Sequence, residues 1–372
     1  MKQENYELAV ELRHRLHAHP ELSNEEKWTK ATLMEFLRSH TKLEVVDKGS
    51  WFYAAYRAGG DKPGIAFRAD FDAVPVEDLC DVPYVSRIPG VGHKCGHDGH
   101  SASLAALALE VDQQGADRDV FFLFQHAEET GDGAKACTAL LREEKVGEIF
   151  GFHNRPGVPL GAVQVLDGTI YCASKGMIFS FQGTPSHASM PELGKNPAFA
   201  IAEIISQLST LTDPARYRGL VLATIIQVDV GERAFGTQAS RGQLLLTVRG
   251  EYEEELEALI AQLEKLAREK AERQGLGLTI SFCDEFPATV SGKASNDKVR
   301  RVCRELQIPL RELKEPFRSS EDFGHYTREI PGAFFEIGSG EDCGELHTTG
   351  MDFPDAIIPT AVAVYRRLID MD

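Results

Sequence analysis

Through the first half of the chain, short β-branched and aromatic runs alternate with longer helical patterns, and no other feature restricts the possible folds as strongly. The pattern predicts strands near 43–47, 51–57, 64–69, 119–124 and 148–152, with helices near 4–17, 25–39, 100–113 and 133–143. Such βαβ units build a largely parallel sheet covered by helices on both faces. Near Ser174–Gly176 the rhythm changes to "MIFSFQG", a helix near 195–210, "GLVLATIIQVDV", "GQLLLTVRG", a helix near 251–273 and "GLTISF". That order, β-α-β-β-α-β, is the split βαβ or ferredoxin-like arrangement. After about Pro287 the alternation resumes, with a helix near 295–306, the strand "AFFEIG" at 333–338 and a closing helix near 355–370. The expected fold class is therefore α/β, with a mostly parallel sheet domain formed by 1–174 and 288–372 and a ferredoxin-like domain, 175–287, inserted into it. In the helix near 251–273, Leu256, Leu259, Ile260, Leu263, Leu266 and Ala267 form one apolar stripe, too short for a coiled coil and suited to packing on the inserted domain's own sheet.

A length of 372 residues supports two compact units, and a hydrophobic content of 42% leaves no compositional case for disorder. Net charge is −17, from 40 basic and 57 acidic residues, with no Lys/Arg-rich run, so nucleic acid is not an expected partner. The N-terminal stretch lacks a basic start followed by an apolar core, and no run of 18 apolar residues occurs. A cytoplasmic protein without membrane partners is the expectation. The seven cysteines are odd in number and scattered, which suits a reducing compartment.

Polar clusters follow several expected strands of the large domain: "IAFRADFD" ends at Asp70 and Asp72, "VFFLFQHAEE" at Glu128 and Glu129, "EIFGFHN" brings His153, and "AFFEIGSGEDCGELH" reaches His347. Ligand sites of open α/β sheets lie beyond the carboxyl ends of the strands, so these segments can converge. A single histidine is more often a hydrogen-bonded loop residue, and paired glutamates are more often solvated. Charge at the end of a buried strand, however, needs a partner. "HKCGHDGH" concentrates metal-seeking groups: Cys95 and His97 are two apart, which in extended backbone directs both to one side. No CxxC pair accompanies them, so a catalytic rather than a structural metal site is expected.

Together "RADFDAVP", "HKCGHDGH", "FQHAEE", "FHNRPGVPLG", "FQGTPSHASMP", "SSEDFGHY" and "LHTTGMDFP" resemble, in order and over nearly the whole chain, the M20 metallopeptidase family, specifically its amidohydrolase branch of N-acyl-amino-acid hydrolases, IAA-amino-acid hydrolases and N-acetyldiaminopimelate deacetylases. The resemblance implies a centre of two divalent ions per subunit held by Cys95, His97, Glu129, His153 and His347. Five ligands exceed the three that one catalytic zinc takes, which agrees with two ions. Zn2+ or Mn2+ is expected, with Co2+ or Ni2+ also compatible with such ligands. It further implies Glu128 as general base and Asp70 as the carboxylate orienting the metal site. His187 and Arg249 match substrate-binding positions, and the inserted domain is implied to be a lid and the surface of a homodimer. The expected reaction is hydrolysis of the amide bond of N-acyl amino acids or related small amides. A dipeptidase or carboxypeptidase of the same family and a non-catalytic metal-binding protein are the alternatives; a pure binding site has no use for Glu128 beside a ligand. The chain departs from the branch at Lys94 and His126, where alanine and proline are common, and at Phe235–Gln238, where an "NVIP" run is usual.

Overall fold

The computed structural model describes residues 1–371. In chain order its strands are β1 (Glu44–Asp47), β2 (Phe52–Tyr56), β3 (Gly64–Asp70), β4 (Val120–Gln125), β5 (Val146–Pro156), β6 (Val163–Val165) and β7 (Gly168–Tyr171). There follow β8 (Ala173–Gln182), β9 (Val221–Val230), β10 (Arg241–Gly250), β11 (Gly277–Phe286), β12 (Thr289–Ser291), β13 (Leu310–Glu312) and β14 (Gly332–Gly340). The helices used below are α1 (Gln3–His17), α2 (Lys27–His40), α3 (His97–Gln114), α4 (Gly133–Cys137), α5 (Ala139–Glu143), α6 (Ala198–Leu211) and α7 (Glu253–Gln274).

The chain divides into two compact units. The first comprises Met1–Ile170, Thr289–Pro316 and the residues from Glu321 onward, and the second comprises Tyr171–Ala288 with Phe317–Ser320. The first unit holds an eight-stranded sheet in the order β1-β2-β4-β3-β5-β14-β6-β13. Its centre, β4-β3-β5-β14, is parallel. Every residue of β3 and β4 is buried, as expected of a sheet covered on both faces, and their continuous apolar runs show the same thing in sequence. Helix α3 is buried along nearly all its length. Alanines and serines allow this, and Gly99 lets the ring of Phe353 approach: a Cβ there would stand 2.2 Å from that ring.

The second unit is a four-stranded sheet, order β11-β8-β10-β9, with every neighbour antiparallel. This is the split βαβ topology. Ile201, Ile204 and Leu208 of α6 and Leu256, Leu259, Ile260 and Leu263 of α7 pack with Phe179, Leu244 and Leu246 of the sheet. The apolar stripe of α7 therefore covers its own sheet. Burial alternates along β10, leaving the opposite face to solvent.

Three expectations need correction. The helix near 133–143 is two short helices, α4 and α5, which meet at Thr138. Strand β5 continues to Pro156, so His153 lies within the strand and not beyond it. The three- and four-residue strands β6, β7, β12 and β13 escape periodicity because so short a segment carries barely one repeat. Among the described residues, no helix is long and apolar enough to cross a membrane.

Candidate metal centre

Two backbone features gather the site at the carboxyl end of the parallel strands. Cys95 and His97 do not lie in extended backbone. His97 is the first residue of α3, and Gly96 between them has φ +103°, so a turn brings the two side chains together. A Cβ on Gly96 would come within 2.2 Å of Asn154 Oδ1, which leaves room for glycine only. After β4, Ala127 has φ +47°, with its N–H donating to Glu26 Oε1 (2.8 Å). This sharp turn directs Glu128 and Glu129 back over the sheet. His347 also has positive φ, +60°. Non-glycine residues in this region carry strain of order 1–3 kcal/mol, and such strain concentrates at functional sites.

One potential ligand atom each from Cys95, His97 and His153 lie within 4.8 Å of one another, and so do those of Cys95, Glu129 and His347. Cys95 is common to both groups. Cys95 Sγ is 3.3 Å from His153 Nε2, and Glu129 Oε1 is 3.3 Å from His347 Nε2. The second nitrogen of two imidazoles is committed elsewhere. His153 Nδ1 lies 2.8 Å from the carbonyl of Asn154, and His97 Nδ1 lies 2.9 Å from Asp72 Oδ1 and 3.1 Å from Asp72 O. A carbonyl only accepts, so both Nδ1 atoms carry hydrogen and both Nε2 lone pairs point into the site.

His97 Nε2 is buried and makes no hydrogen bond, although Asp70 Oδ2, Glu128 Oε2 and Glu129 Oε1 stand 3.9, 3.8 and 3.7 Å away. Three carboxylates and a lone pair surround a gap too wide for hydrogen bonding. The electrostatics are those of a cation-binding pocket. Burial would lower the His97 pKa, but Asp70 and Asp72 raise it to about 10, so the carboxylates call for positive charge at Nε2, which a divalent cation on the lone pair would supply in place of a proton. Burial, followed by Glu129 and Glu128, pushes the Cys95 thiol well up. His153 is pushed well below its usual range by burial and by His100 and His97, so its imidazole is neutral. The donor set fits divalent cations: thiolate, two oriented imidazoles, a carboxylate and a half-exposed histidine.

Asp72, not Asp70, grips His97. Asp70 is the last residue of β3 and sits deeper, where its Oδ1 lies 2.7 Å from His100 Nδ1, one helical turn into α3. Two residues further along, Asp72 reaches the helix start, its other oxygen accepting from Glu129 N (3.0 Å) and Ser23 Oγ (2.7 Å). Asp70 also pairs with fully buried Arg68, which binds Glu321 Oε1 (3.0 Å), Asp322 Oδ1 (2.8 Å) and Gln125 Oε1 (2.8 Å). The acidic pair in "SSEDFGHY" thus stands behind Glu128, whose carboxyl is raised well above its usual range by burial and then by Glu321 and Glu129. Sequence reading placed Asp72 among the converging polar clusters without giving it a role, and missed His100, Arg68 and Glu321 as members of this centre. The alternation in "RADFD", which puts Arg68, Asp70 and Asp72 on one side, was the available signal.

The remaining two site candidates belong to the second unit. His187 is exposed, with Nδ1 2.7 Å from Ser189 Oγ, and pairs in a single bridge with Thr237. Arg249, in β10, donates to Ser320 Oγ (2.6 Å) and to the carbonyl of Arg318 (3.1 Å).

A buried charge network supports the motif from outside. Asp98 Oδ2 is 2.8 Å from His17 Nδ1 and 3.3 Å from Arg13, while His17 Nε2 is 3.0 Å from Asp78. Burial depresses His17, but Asp98 and Asp78 outweigh it and raise its pKa to about 9 from 6.5. A folded-state pKa above the unfolded one stabilises fully below about pH 6.5 and loses that contribution as pH climbs through 9, on the order of 3 kcal/mol in all. Urea midpoints followed by tryptophan fluorescence should therefore fall between pH 6.5 and 9, and the fall should shrink in His17→Gln; equal slopes in the two proteins would discount the network.

The model of peptidase family M20/M25/M40 matches residues 66–371. An uncharacterized hydrolase of Staphylococcus aureus (strain USA300) is 30% identical, with 98% of each chain covered. YhaA of Bacillus subtilis (strain 168), named as an amidohydrolase, is 28% identical over 96% of this chain and 93% of its own. Among solved structures, a protein of methicillin resistant Staphylococcus aureus assigned as an aminohydrolase superposes with TM-score 0.90 at 25% identity, covering 99% of this chain and 97% of that one. The YXEP protein of Bacillus subtilis, described as a dinuclear metal binding peptidase, shares the fold with TM-score 0.84 at 24% identity, with 99% and 98% covered. The chain belongs to peptidase family M20/M25/M40 and is a hydrolase of that family.

Proposed function

We propose that the protein hydrolyses the amide bond of N-acyl amino acids or closely related small amides, using two divalent cations, Zn2+ or Mn2+ by the donor set, held by Cys95, His97, Glu129, His153 and His347. The observation that carries this reading is His97 Nε2, buried, unbonded and ringed by three carboxylates at 3.7–3.9 Å. Bound cations supply electrophilic assistance to an amide carbonyl and ease the ionisation of water. The chain's own residues do the rest. Glu128, buried beside His97 and Glu129, takes the proton of the attacking water. Burial and the neighbouring Glu321 raise its proton affinity, which suits a carboxylate that takes a proton from water and then passes it to the leaving amine. Asp72 holds His97 in one tautomer, and the Asn154 carbonyl does so for His153. His187 and Arg249 are assigned to substrate, an imidazole donor and a fixed positive charge suited to an amino-acid carboxylate.

We assign the active species as a homodimer formed through the second unit. Strand β9 ends its sheet, and Ile225, Ile226 and Val228 on it are exposed, the character of an edge that pairs with another chain. The cytoplasm is the assigned compartment, a reading supported by seven scattered cysteines that suit a reducing environment.

Release of free amine from a panel of N-acetyl amino acids and dipeptides, with Zn2+ or Mn2+ supplied, tests the substrate class. N-acyl amino acids should be turned over with kcat/KM at least about tenfold above dipeptides, a margin of about 1.4 kcal/mol in transition-state binding. Preference for dipeptides with a free amino group would move the enzyme to the peptidases.

A further inference from the structure

Lys94, beside Cys95, is fully buried, and a buried ammonium is tolerated only where partners surround it. Its Nζ contacts the Asp78 carboxylate, the carbonyl of Met351 (2.8 Å) and Cys80 Sγ (3.3 Å). Its own carbonyl accepts the N–H of His347 (2.7 Å). One residue thus holds the 347–351 segment at both ends, by backbone at His347 and by side chain at Met351. That segment needs holding. His347 is left-handed at φ +60°, its side chain is 49% exposed, and no helix or strand includes it. Without the lysine side chain, the backbone bond from His347 N to the carbonyl of residue 94 remains, but the Met351 end of the segment keeps only Leu79 N to Thr349 O (3.0 Å) and the weak contact of Cys80 Sγ with Met351 O (3.4 Å).

We propose that Lys94 is a positioning residue for the His347 part of the centre, acting through the segment it clamps. The inference rests on the metal-centre reading and adds to it a residue that binds neither cation nor substrate. An apolar side chain at 94 fills the same space but lets the His347 loop relax to a less strained backbone, so the ion that uses His347 loses a preset ligand. Orientation of this kind is worth about 10- to 100-fold in metal affinity.

Calorimetric titration of Zn2+ into chelator-stripped full-length protein tests it with three forms: wild type, Lys94→Met, and Lys94→Met combined with Asp78→Asn. The double variant removes the carboxylate that loses its ammonium, so it separates fold stability from ligand placement. Wild type should take two ions. Lys94→Met should bind one as wild type does and the other about 10- to 100-fold more weakly. The double variant should regain part of the lost melting temperature, less what His17 loses with the Asp78 carboxylate, while the second ion stays weak, and it decides the matter if the single variant does not fold. Unchanged affinity for both ions in Lys94→Met overturns the proposal, as does a double variant whose second-ion affinity returns together with its melting temperature. A wild-type protein that binds no Zn2+ strikes down the metal-centre reading instead.

Discussion

Glu128→Gln should cut turnover at least about a thousandfold while leaving bound metal at the wild-type amount. General-base and general-acid transfer by one positioned carboxyl contributes about 10²- to 10⁴-fold, and glutamine of the same shape can do neither. The metal half of the result follows from the geometry. Cys95, His97 and His153 form one group, and Cys95, Glu129 and His347 the other, so both are complete without Glu128. Glu128 does approach His97 and Glu129 closely enough to serve as a ligand itself, and this makes elemental analysis the discriminating measurement. Loss of an ion together with activity would recast Glu128 as a ligand. Near-normal turnover with full metal would remove it from the chemistry altogether. Glu129→Gln is the natural contrast: it should lower metal content first, with activity following.

The long elements and the convergence of the polar motifs are legible in the sequence for the same physical reason. A strand buried on both faces must be apolar throughout, so "VFFLF" and "AFFEIG" stand out, and charge placed where such a run ends marks the rim of the sheet. Sheet order is another matter. That β14 lies between β5 and β6 depends on a segment nearly two hundred residues away from its partner, and nothing local encodes it. The same limit hid the partners of Arg68, since Asp322 comes beside it only after the whole second unit has been traversed. Within the site, the choice between Asp70 and Asp72 turns on one helical pitch: His97 and His100 share a face of α3, and only their depth against the strand end decides which carboxylate each meets. Lys94 was visible as a departure from the family pattern, but its reach to Met351 was not.

Arg68→Met should destabilise the first unit by at least about 3–5 kcal/mol, the cost of stripping one partner from a buried ion network. The guanidinium pairs with Asp70, Glu321 and Asp322, all buried, and it also fixes Gln125, which in turn donates to Asp322 and accepts from Tyr326. Methionine fills the stem's space and leaves the carboxylates facing one another. Both tryptophans, Trp28 and Trp51, lie in the first unit, so their fluorescence reports its urea transition. The pH dependence gives the prediction its signature. Glu321 is raised well above its usual range by burial even with Arg68 present, and losing the guanidinium raises it further. A carboxyl whose folded pKa exceeds its unfolded one contributes most below the unfolded pKa and loses that contribution as pH rises through the folded value. The deficit of Arg68→Met should therefore be smaller at pH 5 than at pH 8. A variant whose midpoint matches wild type at both would mean that these carboxylates hold protons already and that the arginine is dispensable to the fold. Activity should fall as well, because Asp70 and Glu321 are the groups that place His100 and flank Glu128.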